Sequence, residues 1–216
     1  MCRRQAVIRS FGAGAGRAAI SVSASLRLLG NTRHSCKIVD GDEQMARITL
    51  FRHAKAEPPA IETSDFDRVL SNRGRRNADR MGRFIARNNL LPDMVILSPA
   101  ARTRETHELA SVYWPDIPVI YRDSIYEASA TNILTAIESL AGEAERVMVI
   151  GHNPGLAVLL CNLVETPPPD ADIFYFPTSC VADIGFDAPT IGEIAPESGR
   201  LMSLVRVRDL SDDGPL

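Results

Sequence analysis

Three short apolar runs in this chain each end on a cation or an imidazole. Ile48-Thr49-Leu50-Phe51 is closed by Arg52-His53-Ala54, and Met94-Val95-Ile96-Leu97 by Ser98-Pro99-Ala100-Ala101-Arg102-Thr103. Val147-Met148-Val149-Ile150 is closed by Gly151-His152-Asn153-Pro154-Gly155. Runs this short and this continuous read as strands buried on both faces. Open α/β sheets collect ligands at the carboxyl ends of their strands, so three such junctions can converge on one anion.

The segments between the runs read as helices. Ser71 can cap a helix by accepting from its free backbone N–H groups. In that helix Ala78, Met81 and Ile85 share a face with Phe84 beside them, leaving Arg75, Arg76, Asp79, Arg80, Arg83 and Arg87 mostly to solvent. A second helix is expected at about 100–112. Ile133, Leu134, Ile137 and Leu140 form the stripe of a third, and a fourth starts at Pro154, which a first helical turn tolerates, and runs to Pro167-Pro168-Pro169. Val119-Ile120-Tyr121, 180–186 and 201–207 are further strand candidates. Strands alternating with helices imply an α/β fold, a three-layer α/β/α sandwich around a mostly parallel sheet.

With 216 residues, 45% of them hydrophobic, the chain can bury the core of one domain. Its net charge of -3 conceals a division: residues 1–39 hold six Arg and one Lys but no acid. Removing those seven from the 24 basic residues leaves 17 against 27 acidic ones in the remainder. Such a body is a poor partner for nucleic acid, whose binding depends on phosphate neutralisation. Cys2, Cys36, Cys161 and Cys180 show neither metal-finger nor disulfide-framework spacing, which fits a reducing, intracellular compartment. No run reaches the roughly 20 apolar residues of a bilayer span, so no membrane partner is expected.

Residues 1–44 are rich in Arg, Ser, Ala and Gly, as in an organellar transit peptide. They read equally well as a flexible extension, because Met45-Ala46-Arg47 stands directly before the first strand. The expected domain is 45–216, cytoplasmic, or in an organelle matrix if the extension is a transit peptide.

Taken singly, a His or an Arg at a strand end is usually structural. Arg52, His53, Arg102 and His152 occupy three strand ends together, and burying that much potential positive charge without a ligand is costly. A phosphoryl group answers the cost, because the guanidinium fork matches its oxygens and stays charged. A neutral imidazole keeps a lone pair that can attack phosphorus. Fixed cationic donors then stabilise the charge of the transition state. This scheme calls for no cofactor and no metal: adjacent guanidiniums repel a cation, and no H-E-x-x-H spacing is present.

These motifs resemble those of the histidine phosphatase superfamily, whose fold is phosphoglycerate mutase-like and whose small members include the SixA-type phosphohistidine phosphatases. Arg52-His53-Ala54-Lys55 resembles the family's Arg-His-Gly motif. Leu70-Ser71-Asn72-Arg73-Gly74-Arg75-Arg76 is similar to its helix-opening signature, Ser98 to Thr103 to its second-arginine motif, and Gly151 to Gly155 to its second-histidine motif. Val205-Arg206-Val207-Arg208-Asp209-Leu210 is similar to the closing strand of the SixA type. The resemblance implies that His53 is phosphorylated during turnover, with Arg52, Arg102 and His152 as the phosphate pocket. Asn153 lies beside it at a helix N-terminus, where backbone N–H groups can stabilise an anion.

Many relatives carry an acidic proton donor, for which Glu127 in Tyr126-Glu127-Ala128-Ser129 is the near candidate. Lys55 either extends the positive field at the mouth or is solvated; His107 and His34 read as bystanders. Only 49 positions separate His53 from Arg102, which leaves no room for a large cap and suits a protein-borne phosphoryl group. The expected partner is a phosphorylated protein bearing phosphohistidine. A small phosphate ester and a non-catalytic phospho-ligand module are the alternatives. Oligomeric state is not legible.

Overall fold

The computed structural model describes residues 45–168 and 176–211. The expectations for residues 1–44, His34 among them, lie outside the described residues. One sheet contains β1 (Ala46–Arg52), β2 (Met94–Leu97), β3 (Val119–Tyr121), β4 (Arg146–Gly151), β5 (Val181–Phe186) and β6 (Arg200–Val205), in the order β3-β2-β4-β1-β5-β6. The first four in that order pair in parallel, while β5 is antiparallel to both β1 and β6. The helices are α1 (Asn72–Arg87), α2 (Ala101–Ala110), α3 (Ala130–Ala141) and α4 (Gly155–Leu163).

Alternation along each strand supplies two cores, because successive side chains leave opposite faces of the sheet. Ile48, Leu50, Ile96 and Val149 pack with Ile133 and Ile137 of α3 and Leu156 and Leu159 of α4. Phe51, Val95, Leu97 and Ile150 pack with Met81 and Ile85 of α1 and with Trp114. Helices therefore cover both faces, and the expected three-layer, mostly parallel α/β architecture is observed.

Register sets the strand ends level. Phe51 pairs with Ile150 and Arg52 with Gly151, while Leu97 pairs with the same Ile150. The residues that follow β1, β2 and β4 consequently leave the sheet side by side. Below them, Asp183 of β5 is buried, forms an ion pair with Arg47 and accepts from the Thr49 hydroxyl.

Four local expectations need correction. The second helix stops at Ala110 and tightens into a 3-10 turn at Ser111–Tyr113. The fourth helix ends at Leu163, before the proline run, where Val164 turns extended and bridges Gly199. Pro154 caps that helix from outside its first turn, after a cis bond from Asn153. The closing strand ends at Val205, and Val207–Asp209 is a 3-10 turn: the Arg206 backbone N–H donates to the Asp209 carboxylate (3.0 Å), a local bond that competes with the ladder. The Arg-rich face of α1 is also less idle than expected. Arg75 pairs with Glu105 (3.0 Å), Arg80 donates to the Leu210 carbonyl (3.1 Å), and Arg83 lies over the Tyr113 ring.

Candidate active site

A cavity of about 310 Å³ opens at the carboxyl ends of β1, β2 and β4. Arg52, His53, Arg102 and His152 line it, together with Lys55, Glu127 and Asn153. All seven residues singled out in the sequence are thus gathered by tertiary structure.

His53 follows β1 and is buried. Its Nδ1 lies 2.7 Å from the Ala54 carbonyl oxygen. A carbonyl only accepts, so Nδ1 carries the proton and Nε2 keeps its lone pair. Burial, reinforced by the charges of Arg102 and Arg52, pulls the His53 pKa down to about 3, leaving the ring neutral at pH 7. The Ala54 N–H donates to Thr106 Oγ1 (2.9 Å), whose hydroxyl donates to the Arg102 carbonyl (2.6 Å), tying the end of β1 to α2.

His152 follows β4, with its ring centroid 5.1 Å from that of His53. Its Nε2 is 2.8 Å from Ser98 Oγ at the end of β2. Burial and the neighbouring His53 also lower its pKa to about 3. Nδ1 of His152 and Nε of Arg52 are buried without a hydrogen-bond partner among the described residues, a deficit that folded proteins rarely leave without a role.

Arg52 donates from Nη1 to the Phe176 carbonyl (2.8 Å), the oxygen that also receives Asn153 Nδ2 (3.0 Å). The 176–180 segment is thereby fastened to β1 and to the entry of α4. Ser179, with φ 62°, closes the fastening by donating its backbone N–H to the Arg52 and His53 carbonyls. Cys180 sits behind Arg52; burial pushes its thiol up to about 12, so it carries no thiolate at neutral pH.

Arg102 is buried, and its fork is engaged. Nη1 donates to the Asp65 carbonyl (2.5 Å), and Nη2 to the Asp65 carboxylate (2.9 Å) and, at 3.4 Å, to Glu127 Oε1. Tyr126 donates its hydroxyl to the same Asp65 carboxylate (2.8 Å) and presents its ring at right angles to His152. Burial opposes ionisation of Asp65, but hydrogen bonds from Arg68 and Tyr126 and the charge of Arg102 outweigh it, holding the carboxyl well below its usual range.

Glu127 sits in the left-handed region, φ 46°, a strain of order 1 kcal/mol for a non-glycine residue that directs its carboxylate to Arg102. Gly155 makes room for this loop, since a Cβ there would fall 2.2 Å from the Ala128 carbonyl oxygen. Asp65, Arg68 and Tyr126 are site residues that motif reading missed. The usable signal was the mixed-charge loop Asp65-Phe66-Asp67-Arg68 directly ahead of the helix-opening motif. Thr178, also in the wall, carries no such signal. His107 lies against Trp114, outside the cavity.

The chain matches the family model described as "Histidine phosphatase superfamily (branch 1)" over residues 48–132. An uncharacterized protein of Mycobacterium tuberculosis is 32% identical over 138 residues, covering 61% of this chain and 84% of that protein. A structure from Agrobacterium tumefaciens, described as the "putative phosphohistidine phosphatase SixA", is 28% identical with a TM-score of 0.62, covering 74% of this chain and 97% of its own. A second structure so designated, from Nakamurella multipartitia, is 25% identical with a TM-score of 0.65, covering 75% and 96%. Among the described residues no helix is long and apolar enough to cross a membrane. With that likeness spanning both sequence and fold, the chain belongs, as a phosphatase, to the histidine phosphatase superfamily.

Proposed function

We propose that the chain removes phosphoryl groups from phosphohistidine on a protein, through a phosphohistidine intermediate on His53. The observation that carries this reading is the Nδ1 bond of His53 to the Ala54 carbonyl, which leaves a neutral ring with its Nε2 lone pair available. Nε2 attacks phosphorus, the P–N bond to the substrate imidazole breaks, and that imidazole leaves with a proton from solvent. Arg52 and Arg102 neutralise the equatorial oxygens, and His152 completes the clamp. Water then attacks the phosphorus held on His53, releasing inorganic phosphate and restoring the ring. Asn153 and Lys55 serve binding, the first by holding the 176–180 wall and the second as a cation at the rim.

Access favours a protein substrate. Between His53 and Arg102 the chain forms only a loop, α1 and β2, so no inserted domain roofs the cavity. The two SixA-designated structures support the same substrate class. One observation favours small phosphate esters instead: the Glu127 side chain lies beside Arg102, where its protonated form would act as the acid for an alkoxide leaving group.

Rapid quenching with a radiolabelled phosphohistidine protein should trap an acid-labile, alkali-stable label on the enzyme. His53→Ala should lose both label and turnover while still melting cooperatively. Full turnover by that variant would end the proposed mechanism.

A further inference from the structure

A second cavity of about 450 Å³ adjoins the first and shares Lys55 and Thr178 with it. Four cations line it, namely Lys55, Arg73, Arg206 and Arg208, and no carboxylate does. This concentration stands out in a body that holds 17 basic against 27 acidic residues from Asp40 onward. Three separate segments supply it: the end of β1, the first turn of α1, and the turn after β6.

Helix stability does not account for Arg73. It lies in the first turn of α1, where the helix presents its positive end and a cation is disfavoured, and that turn contains no acid. Gly74 brings the helix end against the strand exit, because a Cβ there would fall 2.1 Å from the Lys55 carbonyl oxygen. Ser71 fastens the same junction by donating both its N–H (2.9 Å) and its hydroxyl (3.0 Å) to that carbonyl. Neither Lys55 nor Arg73 has an ion-pair partner among the described residues, and Arg208 meets Asp209 only at 3.7 Å with both side chains exposed.

We propose that this cavity receives carboxylates of a protein substrate that flank its phosphorylated residue. The proposal rests on the phosphohistidine-protein reading and names what the enzyme recognises beside the phosphoryl group. Lys55, Arg73 and Arg208, exposed on flexible stems, suit solvated carboxylates of a protein surface, whereas a second phosphate calls for buried, convergent donors such as those around His53. Charge complementarity of this kind acts chiefly on encounter and on salt dependence.

The test uses two synthetic peptides phosphorylated on histidine, one flanked by glutamates and the other by glutamines. At low salt the wild type should show kcat/KM about three- to tenfold higher for the glutamate peptide, a margin that shrinks as salt is raised. R73E/R208E should abolish the preference and leave turnover of the glutamine peptide unchanged. Both sites are exposed, and a Glu in the first turn of α1 favours the helix, so the variant should fold. Equal wild-type turnover of both peptides, or a preference that survives the double substitution, would overturn the cavity assignment alone. Turnover of neither peptide alongside turnover of a small ester would sink the phosphohistidine reading and this inference with it.

Discussion

Asp65 holds Arg102 from two sides, its backbone carbonyl 2.5 Å from one terminal nitrogen and its carboxylate 2.9 Å from the other. The guanidinium that should meet a phosphoryl group is thus presented by a loop acid, which fixes its plane but sets a negative charge beside an anion site.

Asp65→Asn keeps the backbone carbonyl bond and a side-chain acceptor while removing that charge. Orthovanadate should then bind about three- to tenfold tighter, the size expected for one partly exposed charge near another. Weaker vanadate binding would show that the carboxylate serves mainly to position the fork.

Arg102→Ala should cost about 2–4 kcal/mol of transition-state stabilisation, the scale of losing one preorganised donor. Arg102→Lys should recover only part of kcat/KM, since a single ammonium cannot span both Asp65 atoms and a phosphoryl oxygen. Full recovery by lysine would mean that charge alone matters at this position.

Burial holds His53 and His152 near pKa 3, so both rings stay neutral across the physiological range. NMR of their ring protons should show no titration between pH 5.5 and 8. In the unfolded chain these rings protonate at about 6.5, so from that pH down to about 3 the unfolded state binds more protons than the folded one. The stability they contribute is complete above pH 6.5 and declines as pH falls through that window. A ring titrating near 6.5 in the folded enzyme would contradict the assigned burial.

Glu127→Gln should slow hydrolysis of an alkyl phosphate more than dephosphorylation of a phosphohistidine protein, because an alkoxide needs a proton in the transition state and imidazole leaves readily. The wild type should prefer the latter in kcat/KM. Equal, large losses on both would give Glu127 a binding or structural role, and a wild-type preference for the alkyl ester would favour the small-ester reading.

Local pattern determined the strand cores Ile48–Phe51, Met94–Leu97 and Val147–Ile150, the cap at Ser71, and the buried faces of α1 and α3. Burial periodicity and capping act over a few residues and are written in the chain itself. The same locality exposed the four strand-end residues Arg52, His53, Arg102 and His152, since a polar group directly after a buried strand is visible in sequence. Only tertiary structure decided which residues share their cavity. Tyr126 reaches Asp65 across 61 positions, and Asn153 and Arg52 meet at the Phe176 carbonyl across 23 and 124. The antiparallel return of β5 beside β1 and the joining of Lys55, Arg73 and Arg208 in one cavity are likewise products of strand order. Such contacts depend on how helices and loops pack over the sheet, and no local period encodes that distance.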